Sequence, residues 1–216
     1  MKKLLLLTVL FIIPYYLFAQ FSVGFKITPF FCNFNRPFGN IGNDLTVETG
    51  YIGVWNFGGF VNYKFNGPFA LQAEVNYRYE GLNYSDKDQF VNDTFGQKII
   101  EIPLLFQIKG KSRFHGFAEA GISLKCLTSA THYIQNNEYN VNEYFNLFRL
   151  SGKIGGGGVL NIWNNLSLLG NFRLGYDFTP IGKSIYDERT SENWTFNEIR
   201  YFDWNIFLGI MYTFNK

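Results

Sequence analysis

Between residues 69 and 79 the chain reads Phe-Ala-Leu-Gln-Ala-Glu-Val-Asn-Tyr-Arg-Tyr, and side-chain character changes at every step. Phe69, Leu71, Ala73, Val75, Tyr77 and Tyr79 share one face; Ala70, Gln72, Glu74, Asn76 and Arg78 share the other. A period of two over this length specifies a β-strand with one apolar and one polar side. A soluble sandwich also produces such strands, so the choice falls to the ends of the chain and to its connections.

Residues 1–19 carry the marks of an export signal: Lys2 and Lys3, an apolar run from Leu4 to Phe18, then the small Ala19. Cleavage is expected after Ala19, with Gln20 as the alternative, which leaves residues 20–216 as one domain. The apolar run is short of the ~20 residues a spanning helix needs. No later segment is apolar enough to cross a membrane as a helix, so membrane insertion must use strands.

Eight segments alternate: 21–31, 52–65, 69–79, 98–109, 113–127, 147–162, 166–178 and 199–214. The second, fourth and sixth end in tight turns, at Asn66-Gly67, Gly110-Lys111-Ser112 and Trp163-Asn164-Asn165, where Asn and Gly supply the positive φ that short hairpins require. The first, third, fifth and seventh run into long polar stretches, 32–51, 80–97, 128–146 and 179–198. Short turns at one end and long loops at the other are the pattern of an outer-membrane barrel, with the turns periplasmic and the loops extracellular. In lipid an open sheet edge has no water to satisfy it, so the strands must close on themselves. The expected fold is therefore all-β: an eight-stranded antiparallel up-and-down transmembrane barrel. Charged residues make up 17% of the chain and the net charge is +2, which suits a barrel and offers nothing to nucleic acid.

Pro103 cannot donate to a ladder and is expected at a local bulge. Gly155–Gly158 point to a kink or a close approach over a bulky neighbour. Two aromatic girdles are expected, Tyr63, Phe65, Phe69, Tyr212 and Phe214 at the turn end and Tyr51, Tyr77, Tyr79, Tyr176, Phe178 and Trp204 at the loop end. Cys32 and Cys126 fall on opposite walls, so free thiols are the simpler reading, although export permits a disulfide.

The segments YKFNGPFALQAEVNYRYEG (63–81), IIEIPLLFQIK (99–109), HGFAEAGISLK (115–125) and FLGIMYTFNK (207–216) resemble the PorT-like outer-membrane β-barrel family of Bacteroidetes-type bacteria. The likeness covers most of the exported chain, and Glu101–Leu105 is its most specific element. It implies a small barrel inserted by the general barrel-assembly machinery into outer-membrane lipid, with founding members accessory to protein secretion and gliding. Members end close to an aromatic residue; here Asn215 and Lys216 follow Phe214, a small departure. The resemblance carries no catalytic motif.

The inward faces are rich in ionisable groups: Lys26, Lys64, Glu74, Arg78, Glu101, Glu119, Lys125, Arg149, Lys153, Arg173, Asp177 and Asp203. Eight strands leave an interior just wide enough for side chains, and buried charges persist when paired. A structural salt-bridge network filling the lumen is thus expected over a solute channel. A lipid-modifying enzyme would need a nucleophile and a base at the membrane rim. His132 with Ser129, Thr131, Glu138 and Glu143 in the third long loop is the one candidate, and His115 is expected in the polar interior. Gly182-Lys183-Ser184 lacks the first glycine of a phosphate-binding loop, and no His/Cys set has metal-ligand spacing. No catalytic residue, cofactor or metal is expected. Aromatics among acids in the long loops, such as Phe95, Tyr144, Tyr186 and Trp194, suit either a protein contact or a seal over the barrel. The expected function is a non-enzymatic structural or accessory role in the envelope, with secretion-system proteins as candidate partners.

Overall fold

The structure is a computed structural model that describes residues 21–28, 33–38, 56–65, 67–86, 91–134, 137–187, 192–195 and 199–214. The export signal, Cys32 and Tyr51 lie outside the described residues. Among the described residues twelve strands are formed: β1 (Phe21–Thr28), β2 (Asn33–Phe38), β3 (Asn56–Lys64), β4 (Phe69–Asp86), β5 (Val91–Lys109), β6 (Phe114–Ile134), β7 (Asn137–Asn140), β8 (Phe148–Asn161), β9 (Leu166–Asp177), β10 (Ser184–Asp187), β11 (Glu192–Thr195) and β12 (Arg200–Thr213). Eight of them are the staves of one antiparallel sheet, ordered β1-β3-β4-β5-β6-β8-β9-β12 and closed by β1 pairing back onto β12, Ser22 opposite Thr213 through Ile27 opposite Leu208. Every neighbour in the wall is thus the next stave in sequence.

The wall follows the alternation in the chain. Along β4 the apolar set faces outward and Ala70, Gln72, Glu74, Asn76, Arg78 and Glu80 are buried. Phe25, Val75, Phe106, Ile122, Ile154 and Leu208 all stand exposed on the outer surface, a belt that only lipid can cover. Paired rings mark its edges. At the turn end Phe21–Tyr63 are 4.9 Å apart and Tyr212–Phe214 5.3 Å; towards the loop end Phe57–Tyr77 are 5.4 Å and Tyr176–Phe178 6.3 Å. Ile154 lies near the middle of β8 on this belt. An Ile154→Arg variant is expected to lose roughly 2–4 kcal/mol of folding stability, the cost of an arginine at the bilayer midplane. Denaturant titration in lipid vesicles would read it, and a neutral outcome would place this face out of the bilayer.

Several boundaries differ from those the alternation predicts. β4, β5 and β6 run on well past the expected ends at 79, 98 and 127, so much of two expected loops is paired sheet. β2 falls in the first expected loop and extends the barrel seam, pairing Asn33–Phe38 with the outer part of β12. β7 hairpins onto β6, and β10 pairs β11 within the fourth long stretch. At the turn end the strands stop where expected, and Gly67 takes a φ of 99° in the first turn.

Pro103 needs no bulge. It sits opposite Ser123 in unbroken register with β6, and on the β4 side the same register holds before and after it, Ala73 opposite Leu104 and Asn76 opposite Glu101. The residue lacking an N–H simply skips its rung. The shift in register comes instead between Lys98 and Ile99, where Thr128 of β6 is extra. It reverses the phase of β6, so that Ala130 and His132 are buried.

Candidate functional site

The interior of the barrel is the feature that any function must accommodate. From the turn end upward it begins with an apolar layer, Phe60, Val159 and Met211 with Phe117 and Leu169 packed against them. Above it lies a four-charge group. Lys26 Nζ donates to Glu74 at 2.6 Å, Arg173 makes a two-pronged contact with Glu74 at 2.9 and 3.0 Å, and its Nη2 and Nε reach Glu119 at 2.6 and 2.8 Å. Amide donors complete the carboxylates: Gln72 and Asn76 on Glu74, Gln107 and Asn171 on Glu119. The Phe207 ring lies 4.1 Å from Lys26 Nζ and 5.2 Å from the Arg173 guanidinium, a neutral wall that attracts both cations.

A second group of eight charges follows. Glu80 accepts from Arg149 (2.6 Å), Lys125 (2.9 Å) and Arg78 (3.2 Å). Glu101 meets Arg78 at 3.0 Å and Lys153 at 2.8 Å. Asp177 meets Lys125 at 2.7 Å and Arg149 at 2.9 Å, and Asp203 meets Lys153 at 3.1 Å, Lys125 at 3.4 Å and Arg78 at 3.6 Å. Each carboxylate touches at least two cations and each cation at least two carboxylates. All twelve side chains of the two groups are buried. They divide into six bases (Lys26, Arg78, Lys125, Arg149, Lys153, Arg173) and six acids (Glu74, Glu80, Glu101, Glu119, Asp177, Asp203). A neutral, cross-linked set is the arrangement in which buried charge costs least.

Glycines make the pairs possible. Across the wall Glu119, Gly155 and Arg173 are directly opposite one another on β6, β8 and β9, and Lys153, Gly175 and Asp203 are likewise opposite on β8, β9 and β12. In both rows the acid and the base lean toward each other over a strand that carries no side chain. A Cβ on Gly175 would stand 2.5 Å from Lys153 Nζ and 2.7 Å from an Asp203 oxygen. This is the close approach expected of the glycine run, found also outside it.

Above the charges the mouth is closed by an apolar cluster of Phe95, Ala130, Val141, Tyr144, Phe145, Ile181, Ile199 and Tyr201. Arg149 joins the two layers, its guanidinium 5.5 Å from the Tyr201 ring. Backbone bonds from Lys183 N to Tyr144 O (2.9 Å), Ile181 N to Ile199 O (2.8 Å) and Asn146 N to Ile181 O (2.9 Å) tie the third and fourth outer connections across the opening.

Eleven of the twelve residues expected in the lumen network stand in it. The exception is Lys64, which keeps inward phase but is exposed at the turn-end rim. The expected set held seven bases and five acids; with Lys64 outside it and Glu80, placed by its sequence in a loop, inside it, the network balances at six against six. The signal was present: Gln72, Glu74, Asn76, Arg78 and Glu80 continue one alternation. His132 is not on a loop surface. It is buried in β6 with its ring stacked on Phe95 at 3.9 Å, and Ser129, an odd number of residues away along the strand, falls on the opposite face. His115 is half-buried at the turn, Nδ1 2.8 Å from Ser112 O. Cys126 is a free thiol.

A closed eight-stave wall, a lipid-ready belt and a neutralised interior together define an integral outer-membrane β-barrel protein with a packed lumen. The chain belongs to the family described as outer membrane protein beta-barrel domain, whose model matches residues 18–216. Among solved structures it is similar to Neisserial surface protein A (13% identity, 90% of this chain and 97% of that one, TM-score 0.49) and OprG of Pseudomonas aeruginosa (11%, 91% and 96%, 0.48). It is also similar to Ail, the attachment invasion locus protein of Yersinia pestis (9%, 89% and 99%, 0.44). Comparison with curated proteins gave no match.

Proposed function

We propose that this protein is a sealed, non-enzymatic accessory component of the outer membrane, which uses its β-extended outer end to contact another envelope protein. The packed lumen carries this reading. Twelve paired charges lie between two apolar layers, and the void lined by Lys26, Gln107, Asn171 and Met211 measures about 10 Å³, the room of one water. A solute path would need the network to come apart. The burial of His132 against Phe95, on the face opposite Ser129, favours a packing role over a base beside a nucleophile. The resemblance to PorT-like barrels supports export by the signal at residues 1–19 and an association with protein secretion or gliding, a step that rests on family analogy.

Two measurements test the proposal. Purified barrel in planar bilayers is expected to give no steady conductance; reproducible single-channel steps would replace the sealed reading with a channel. Tagged protein extracted from outer membranes in mild detergent is expected to run on a native gel as a stoichiometric species larger than the barrel, with its partner identified by mass spectrometry. A lone barrel would sink the accessory role.

A further inference from the structure

The small net charge conceals an uneven distribution along the barrel axis. With the lumen balanced six against six, the described residues of the turn end carry Lys64, Lys109, Lys111 and Arg113 and not one carboxylate. Beside this basic rim, at the turn between β8 and β9, is an open cleft of about 850 Å³ lined by Arg113, Asn161, Trp163, Asn165 and Tyr212 among others. Its walls are fixed by their own bonds. Asn161 N donates to Arg113 O at 3.0 Å and Arg113 Nε to Asn161 O at 3.3 Å; Asn165 Nδ2 donates to the Tyr212 hydroxyl at 3.3 Å. With Nε so engaged, the two terminal amino groups of Arg113 have no bond among the described residues and are left for a ligand. Trp and Tyr are the side chains that settle at headgroup depth.

An apolar groove of about 410 Å³ runs along the same strands, lined by Phe25, Ile27, Leu168, Leu208 and Ile210. The two are in line. Tyr212 of the cleft is opposite Leu166, and two residues further into the membrane Ile210 is opposite both Leu168 and Phe25. A polar, cationic cleft at the membrane edge that leads into an apolar groove has the layout of one lipid molecule.

We propose that this face binds an anionic phospholipid of the periplasmic leaflet, its phosphate at Arg113 and the amides of the turn, its glycerol beside Tyr212, and an acyl chain in the groove over β9, β12 and β1. The absence of carboxylates among the described turn-end residues selects the headgroup: an ethanolamine ammonium would be repelled by Arg113 and Lys111 with no opposite charge to offset them, whereas a glycerol headgroup adds no cation and leaves the attraction for the phosphate whole.

The test uses full-length barrel extracted in mild detergent, titrated with phosphatidylglycerol and phosphatidylethanolamine of identical acyl chains and examined by native mass spectrometry. One phosphatidylglycerol is expected to be retained over phosphatidylethanolamine by on the order of tenfold, the effect of setting the ethanolamine ammonium against the Arg113 guanidinium at a partly desolvated site. Arg113→Gln is expected to remove that preference, and Lys64→Gln, at the lumen edge of the rim, to leave it. Heat-modifiable gel migration confirms that each variant is folded; should Arg113→Gln fail, Trp163→Ala and the wild-type lipid ratio decide. Equal retention of the two lipids by the wild type, or an unchanged preference in folded Arg113→Gln, would overturn the proposal. So would displacement of bound phosphatidylglycerol by inorganic phosphate alone, which would mark an anion site with no use for the groove.

Discussion

Replacing Arg173 with Met is expected to cost roughly 3–5 kcal/mol of folding stability, the penalty for removing one partner of a buried ion pair. Arg173 bridges Glu74 and Glu119, with contacts of 2.6–3.0 Å to both. Without it, among the described residues, Glu74 keeps only Lys26 as a cation, and Glu119 retains the amides of Gln107 and Asn171 but no cation within a salt bridge. The buried network passes from six against six to five bases against six acids. The loss should appear as a lower denaturant midpoint with the slope preserved, and as loss of the folded band at a lower temperature on a detergent gel. Adding Glu119→Gln to the Arg173→Met variant restores five against five and should recover most of the stability, a coupling that simple loss of packing around Arg173 would not produce. A loss below about 1 kcal/mol for the single variant would mean that water reaches this level of the lumen and that the barrel is not sealed.

How much of this could be read in the chain follows from what surrounds each strand. Inside the bilayer the outer face must be apolar, so period two is written plainly through Phe69–Tyr79 or Ile100–Ile108. Beyond the lipid the outer face meets water, and Gly81, Lys98 and Thr128 stand where apolar residues stood before. The contrast between faces disappears while backbone pairing goes on. The alternation therefore marks the membrane span of each stave and not its length, which is why Glu80 was assigned to a loop although it lies at the heart of the upper charge group. His132 escaped for another reason: one extra residue at Thr128 reverses inside and outside, and nothing in the local pattern announces it. Pro103 erred in the opposite direction, since a missing donor between β4 and β5 is absorbed without a shift. Membership of the lumen was legible but its pairing was not. Glu74 and Arg173 are far apart in the chain and meet only because the barrel closes with a particular stagger.

Gly175→Val is expected to be as damaging as breaking an ion pair outright, on the order of 3–5 kcal/mol, although valine is the better strand residue by propensity. The reason is the row Lys153–Gly175–Asp203. The carboxylate and the ammonium meet at 3.1 Å over the bare backbone of β9, and an added Cβ would lie within 2.8 Å of Lys153 Nζ and of both Asp203 oxygens. Asp203 also holds Arg78, Lys125 and the Asn205 amide, so a wedge there disturbs the upper group as a whole. Gly59→Val is the matched control. Gly59 lies on the outer face of β3, where a Cβ would find its nearest neighbour at 3.7 Å, an ordinary contact; this variant should be neutral or gain up to about 1 kcal/mol from strand propensity and lipid contact. Urea midpoints of the two variants, measured in the same vesicles, separate the explanations. If both lose equally, the glycines serve the bending of the wall. If only Gly175→Val loses, they are the spaces that let acids and bases of alternate staves reach one another, and the seal of the barrel depends on residues that have no side chain.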